Sequence, residues 1–234
     1  MRIDNKLATF LYRFILLSLG IIGIVANVWN KSSGFMPQTF LYYTTQTNIF
    51  CALILLYMIL KEFVFKKDFS GGIYKLKALA MIAITITFLT YAFILLPAIQ
   101  ELEDPGYNIL GFNDLIVHFI VPIGFFVDYL LFDQKGIQTW RIPLLSVIYL
   151  LIYGIVTFIY AKAGTPFASG QMYPYEFINI DTQGMVQVLQ NIAVLLFVNI
   201  IIGYIYFGID KLLGLGNRKK VEVIDISYFR NRQR

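Results

Sequence analysis

The sequence is poor in the residues on which soluble chemistry usually draws. It holds one cysteine, Cys51, and one histidine, His118. A structural disulfide needs two cysteines, and a zinc site needs three or four Cys, His or carboxylate ligands, so neither is expected. No cofactor of another kind is expected either. Charged residues make up only 14% of the 234 residues, too few for the surface of an ordinary soluble domain. What the chain has instead is apolar surface: 58% of residues are hydrophobic, and the mean hydropathy is +0.69. The 21 Phe and 16 Tyr suit aromatic belts at the two interfaces of a bilayer.

Crossing roughly 30 Å of hydrocarbon takes about 20 helical residues. Apolar runs of that length lie at about 7–29, 38–60, 76–97, 111–132, 142–161 and 186–209. The fold class is therefore all-α: a polytopic membrane protein with six transmembrane helices. Residues 1–213 read as a single transmembrane domain and 214–234 as a basic tail. The first run is too long for the core of a signal peptide and lacks a small-x-small cleavage site after it, so it should stay as an anchor. The longest connection, about 162–185, leaves no room for a soluble domain.

Positive charge sets the expected orientation. All of the 19 Lys and Arg except Lys31 and Lys162 fall at the N-terminus up to Arg13, in the second connection or at its edges from Lys61 to Lys77, in the fourth connection, or from Lys211 onward. Both termini are then cytoplasmic by the positive-inside rule. The basic tail serves that topology and lies within reach of anionic lipid. No nucleic-acid partner is expected.

Against this apolar background one polar cluster stands out. The second span begins with Thr44, Thr45, Gln46, Thr47 and Asn48 in a row. Hydrocarbon leaves such side chains unsatisfied, so they need partners or a purpose. At 1.5 Å per residue Thr44 lies roughly 9 Å inside the second span and His118 roughly 10 Å inside the fourth, both in the outer third of the membrane. Asn27, Gln100, Asn113, Asp114, Gln187, Gln190 and Asn191 gather at that level or above it, while the inner halves are plainer apart from Asn199, Arg13 and Asp128. A polar outer chamber over an apolar floor is expected. Thr44, Asn48 and Cys51 share one helical face, as do Asp114, His118 and Pro122. Pro122 removes the hydrogen bond to the carbonyl one turn back, which is that of His118, and kinks the helix there.

Each of these residues also has a plain structural explanation. A threonine in a span ordinarily bonds the carbonyl one turn back, and a lone histidine ordinarily bridges two helices. Asp114 fits the first turn of a helix. The coincidence of depth between a hydroxyl and an ionisable side chain favours chemistry.

Three segments resemble a known group. "YYTTQTNIF" (42–50) resembles the second-helix motif of the androgen-induced-gene family of six-pass membrane proteins, in particular its bacterial branch. "HFIVPIGFFVDYLLF" (118–132) resembles the family's fourth-helix pattern of a histidine followed four residues later by proline. "QMYPYEF" (171–177) resembles its Tyr-Pro-Phe loop, with Tyr175 in the phenylalanine position. The resemblance covers about residues 7–210. It implies an intramembrane threonine hydrolase of lipid esters, since animal members cleave fatty acid esters of hydroxy fatty acids with one threonine and one histidine. It also implies a bacterial plasma membrane as the location. Carried over by motif, the threonine is Thr44, with Thr45 the alternative at a one-residue shift, and the histidine is His118. Gln46, Thr47 and Asn48 depart from the animal pattern, which is more apolar there.

The chemistry permitted by the residues agrees with that implication. Neutral imidazole is the base suited to activating a threonine hydroxyl near neutral pH, and an acyl-threonine would then be hydrolysed by water. Asn48, Gln46 or Asn191 is expected to donate to the oxyanion, and Asp114 to orient His118. The connection carrying Tyr173 and Pro174 is a candidate lid. Membrane lipids or lipid esters are the expected partners. The same acyl-threonine also serves an acyltransferase that passes its group to a lipid alcohol, and two readings of other classes stand beside the enzyme: a small transporter or proton conduit using His118 and Asp114, and a non-catalytic scaffold that binds lipid.

Overall fold

The computed structural model describes residues 3–30, 34–101, 111–167 and 170–232. Six helices in it are long and apolar enough to cross a membrane: α1 (Lys6–Val28), α2 (Tyr43–Val64), α3 (Gly71–Ala98), α4 (Phe112–Phe132), α5 (Ile142–Lys162) and α6, whose apolar part is Met185–Leu215. The backbone of α6 continues as one helix to Arg232, so the basic tail extends the last span. The chain is an integral, multi-pass, all-α membrane protein. Its outward side chains are apolar: Leu7, Phe14 and Ile21 on α1, and Ile148, Ile152 and Ile159 on α5, are exposed to what would be lipid.

α3 is the central helix and packs against α2, α4, α5 and α6, while α1 packs against α2 and α4. α1 and α4 approach closely because small residues stand at the contact. A methyl group on Gly23 would come within 2.7 Å of Ile116 and Val117, and one on Gly124 within 2.6 Å of Leu16. One buried apolar cluster joins α1 to α4 through Leu16, Cys51, Met58, Met81, Val121 and Phe125, and a second joins α3, α5 and α6 through Ile82, Ile86, Ile142 and Ile202.

Three of the helices carry a π-helical turn: Leu60–Val64 in α2, Tyr91–Leu95 in α3 and Ile116–Ile120 in α4. In a π turn the bond runs from i to i+5, so the partner of the Val117 carbonyl would be the N–H of residue 122. That residue is proline and has none. The orphaned carbonyl is taken by Asn48 Nδ2 of α2 at 3.0 Å. The proline effect expected at the His118 carbonyl thus falls, through the π turn, on Val117 as well.

α3 begins five residues before its expected start, and this changes the place of Lys77. Lys77 is only 1% exposed and sits inside the bundle, not in a solvated connection. With Arg13, also 1% exposed, it forms a buried charge cluster. Arg13 donates from Nε to Asp128 Oδ1 at 3.0 Å, from Nη1 to Glu62 Oε2 at 3.1 Å and from Nη2 to Asp133 Oδ1 at 3.1 Å. Lys77 is paired with Asp133 at 2.6 Å and with Asp128. Nearby, Asp210 of α6 accepts from the Tyr129 hydroxyl and from the amide of Gln138. This end of the bundle is far more polar than its sequence indicates, because four helices share the ions.

Candidate active site

α2 starts at Tyr43 with Tyr42 as its N-cap, and no side chain caps it. Thr44 therefore stands in the first turn, where helix N–H groups lack intrahelical partners and the helix dipole is positive. Thr44 and Thr45 are both buried. The Thr44 hydroxyl, Oγ1, lies 3.4 Å from His118 Nε2 of α4. The other ring nitrogen, Nδ1, lies 3.2 Å from the Asp114 backbone carbonyl and 3.7 Å from its Oδ1 carboxylate oxygen. A carbonyl oxygen only accepts, so Nδ1 carries the proton and Nε2 presents its lone pair to the Thr44 hydroxyl. This is the hydroxyl–base–orienter order of an activated nucleophile.

Tyr91 completes the support of the imidazole. Its ring lies flat on the imidazole, with centroids 3.7 Å apart and planes 11° from parallel. Both residues belong to π turns, which are frequent at functional sites because they rotate a side chain out of the α-helical register.

Among the supporting residues expected from sequence, Asp114 lies against His118, one helical turn before it. Asn48 is buried below Thr44, and its amide donates to the carbonyls of Thr44 at 2.9 Å and of Val117 at 3.0 Å. It holds α2 to α4. Gln46 donates to the Phe40 carbonyl and accepts from the Tyr149 hydroxyl. Asn191 donates to the Phe177 carbonyl at 2.7 Å. Tyr173 is buried against Phe158. Thr47 bonds the Thr44 carbonyl and the Thr87 hydroxyl, the plain use of a threonine in a span.

Tyr175 is the residue that sequence reasoning undervalued. Its hydroxyl accepts from the Thr44 backbone N–H at 3.4 Å, so it stands beside Thr44 on the connection between α5 and α6. The signal was present in the tyrosine at the phenylalanine position of the loop, but only the folded chain brings that loop over the start of α2.

Two cavities meet at Thr44. One, of about 160 Å³, is an apolar slot among α3, α5 and α6, lined by Ile86, Leu150, Ile155, Phe158, Ile192 and Leu195. Ile155 is 58% exposed and marks its side facing lipid. The other, of about 950 Å³, is a polar vestibule lined by Asn27, Gln38, Asn113, Asp114, Gln171 and Glu176, and it reaches His118 and Tyr91. Thr44, Leu95 and Tyr175 line both. Below the pair, Cys51, Ile54, Met58, Met81, Ile84 and Val121 form an apolar layer between the site and the buried charge cluster. Among the described residues no group of three or more His, Cys, Asp or Glu is arranged to hold a metal ion.

Comparison of the chain with protein-family models, with curated proteins and with solved structures gives no match.

Proposed function

We propose that the chain is an intramembrane hydrolase of lipid esters, with Thr44 as nucleophile and His118 as base. The observation that carries this reading is the 3.4 Å approach of the Thr44 hydroxyl to the single histidine, at the place where the apolar slot and the polar vestibule join. A lipid ester needs such a junction: a dry channel for its chain and access for water at its carbonyl.

In the proposed reaction His118 Nε2 takes the Thr44 proton as Oγ1 bonds to the ester carbonyl carbon. The carbon–oxygen bond to the alcohol then breaks, and the His118 imidazolium gives its proton to the leaving alkoxide. Water from the vestibule attacks the acyl-threonine with His118 again as base, and the acid and free Thr44 result. The oxyanion forms beside the first turn of α2 and the Tyr175 hydroxyl, which are the donors at that point because Asn48, Gln46 and Asn191 are bonded elsewhere. The apolar layer under the site weighs against a proton conduit, which needs polar groups throughout its length.

Membership of the androgen-induced-gene family, cytoplasmic termini and a bacterial plasma membrane are parts of the same proposal. They are supported by the three motifs and by the distribution of Lys and Arg.

The test is labelling of the purified protein by a fluorophosphonate probe, with the adduct mapped by mass and p-nitrophenyl laurate hydrolysis measured alongside. The expected adduct is on Thr44, retained in Thr45→Ala and lost in His118→Ala, with hydrolysis abolished in Thr44→Ala. A folded wild type that neither labels nor hydrolyses the ester would sink the reading.

A further inference from the structure

Gly154 stands in the middle of α5 without the reasons that ordinarily place a glycine in a span. Its backbone is helical and its φ is not positive, so no turn requires it. Nor does another helix press on it. A Cβ on Gly23, Gly124 or Gly203 would come 2.7, 2.6 or 2.8 Å from a neighbouring side chain, the usual mark of close helix packing in a membrane, whereas one on Gly154 would meet no atom within 4 Å. Glycine is a poor helix former, so the position carries a cost that no contact offsets.

The open space at Gly154 is the apolar slot. Leu150, Gly154 and Phe158 follow one another at single-turn intervals on the face of α5 that lines it, and Ile86 of α3 with Ile192 and Leu195 of α6 belong to its other walls. At 1.5 Å per residue the three α5 positions cover about 12 Å of its length. Thr44 lines both the slot and the vestibule, while Gly154 lines the slot alone. Gly154 therefore stands beside the part of an acyl chain that has passed the junction, as a notch between two bulky side chains.

We propose that Gly154 is a specificity-determining residue for the acyl arm: its missing side chain keeps the slot open beyond Thr44 and sets the length of chain accepted there. This rests on the hydrolase reading, deepens it, and places no condition on the group held in the vestibule. Gly154→Leu would put an isobutyl group into the path of the chain. Burial of each methylene is worth about fourfold in binding, so a chain denied two or three of them loses about tenfold or more. Gly208 of α6 supplies the contrast, because a Cβ there also meets nothing within 4 Å but the residue lies outside the slot.

The test uses the full-length protein in detergent and has two readouts. The first is hydrolysis of p-nitrophenyl acetate and p-nitrophenyl laurate, counted as the rate above that of Thr44→Ala. The ratio of kcat/KM for laurate to that for acetate is expected to fall about tenfold or more in Gly154→Leu and severalfold in Gly154→Ala, and to keep its wild-type value in Gly208→Leu. Gly154→Ala should melt no lower than wild type, since alanine is the better helix former and its methyl group meets no atom, so its altered ratio separates a narrowed slot from a misfolded chain. The second readout needs no turnover: photo-crosslinking by palmitate with a diazirine near its methyl end, the adducts mapped by mass. Adducts on the half-buried Leu150 and Leu195 should fall severalfold in Gly154→Leu relative to adducts on Phe197, which is 65% exposed.

A laurate-to-acetate ratio that Gly154→Ala and Gly154→Leu leave unchanged, or that Gly208→Leu lowers as much, would overturn the proposal, as would a wild type that takes no adduct on the slot walls. If hydrolysis depends on Thr44 and neither readout responds at Gly154, only this inference fails. If the crosslinks respond as expected but neither ester is hydrolysed, the hydrolase reading fails and Gly154 remains the residue that admits the chain.

Discussion

The phenol ring of Tyr91 and the imidazole of His118 are stacked within 11° of parallel, and each ring stands on a π-helical turn of its own span. The stack fixes the ring plane, while the Asp114 carbonyl fixes its rotation through Nδ1. In the proposed reaction Tyr91 is thus a positioning residue for His118. Tyr91→Leu is expected to lower kcat for ester hydrolysis about 10- to 100-fold with little change in KM, as a displaced base would. Tyr91→Phe keeps the stack and should keep most of the rate. The discriminating readout is the pH profile of kcat: loss of the aromatic face should displace its acid limb in the leucine variant and leave it in place in the phenylalanine variant.

In the proposed reaction the Tyr175 hydroxyl, which accepts from the Thr44 N–H, turns its own O–H to the developing oxyanion. Removing one such donor typically costs about 100-fold in kcat. Tyr175→Phe removes one oxygen atom and leaves the packing against Tyr42 and Phe177 in place. A loss of that order in kcat, with fluorophosphonate labelling of Thr44 slowed in parallel, is the expected result. Wild-type turnover in this variant would assign the oxyanion to the amides of α2 alone.

The six spans were legible because hydropathy over about 20 residues is a sum, which tolerates local irregularity. The pairing of Thr44 with His118 was legible as a coincidence of depth, since the rise per residue places each side chain along the membrane normal. What depth does not carry is rotation. Whether Gln46 and Asn191 face Thr44 depends on how α2 and α6 turn about their axes, and they turn to Tyr149 and Phe177 instead. The π turns, which set the facing of Tyr91 and His118, have no signature in composition. In sequence Arg13 and Lys77 look like charges of the flanks, because each stands near the end of an apolar run. Their burial follows from Asp128 and Asp133 approaching from α4, a contact between segments more than fifty residues apart in sequence.

Asn48 holds α2 to α4 at the point where Pro122 withdraws a donor. Asn48→Leu would leave the Val117 carbonyl buried without a partner, a cost of about 1–3 kcal/mol. Thermal unfolding in detergent should show the loss directly, and the variant should also lose hydrolysis, because the π turn that carries His118 is the element released.

The charge cluster predicts a larger effect on stability, at a distance from the site. Asp128 accepts from both Arg13 and Lys77, and all three are nearly inaccessible. Asp128→Leu would leave two buried cations short of a counter-ion, which typically costs about 3–5 kcal/mol. The same measurement on Arg13→Met with Asp128→Leu should recover part of the loss, because it removes one of the two cations left short and leaves Lys77 with Asp133, while Glu62, 18% exposed, keeps access to water. A double variant no more stable than the Asp128→Leu single would show that the cluster acts through packing.

The connection above the site should respond to acid. Glu176 lies outside the spans, and hydrogen bonds from Thr182, Asn179 and Gln183 hold its carboxyl below the ordinary value of 4.5. A carboxyl whose pKa is lower in the folded than in the unfolded chain binds fewer protons when folded. Its stabilising contribution is therefore complete above pH 4.5 and is lost as the pH falls through the lowered folded value. The affected segment is the short turn from Glu176 to Gly184, which positions Tyr175 over Thr44. Hydrogen exchange of the amides in 177–184, corrected for intrinsic rates, should show protection that holds at neutral pH and falls under acid in the wild type. In Glu176→Gln the acid-dependent part should vanish, because no proton is taken up there. Acid-labile protection that persists unchanged in the glutamine variant would place the responsive group elsewhere, with the Asp114 carboxylate against His118 the next to test.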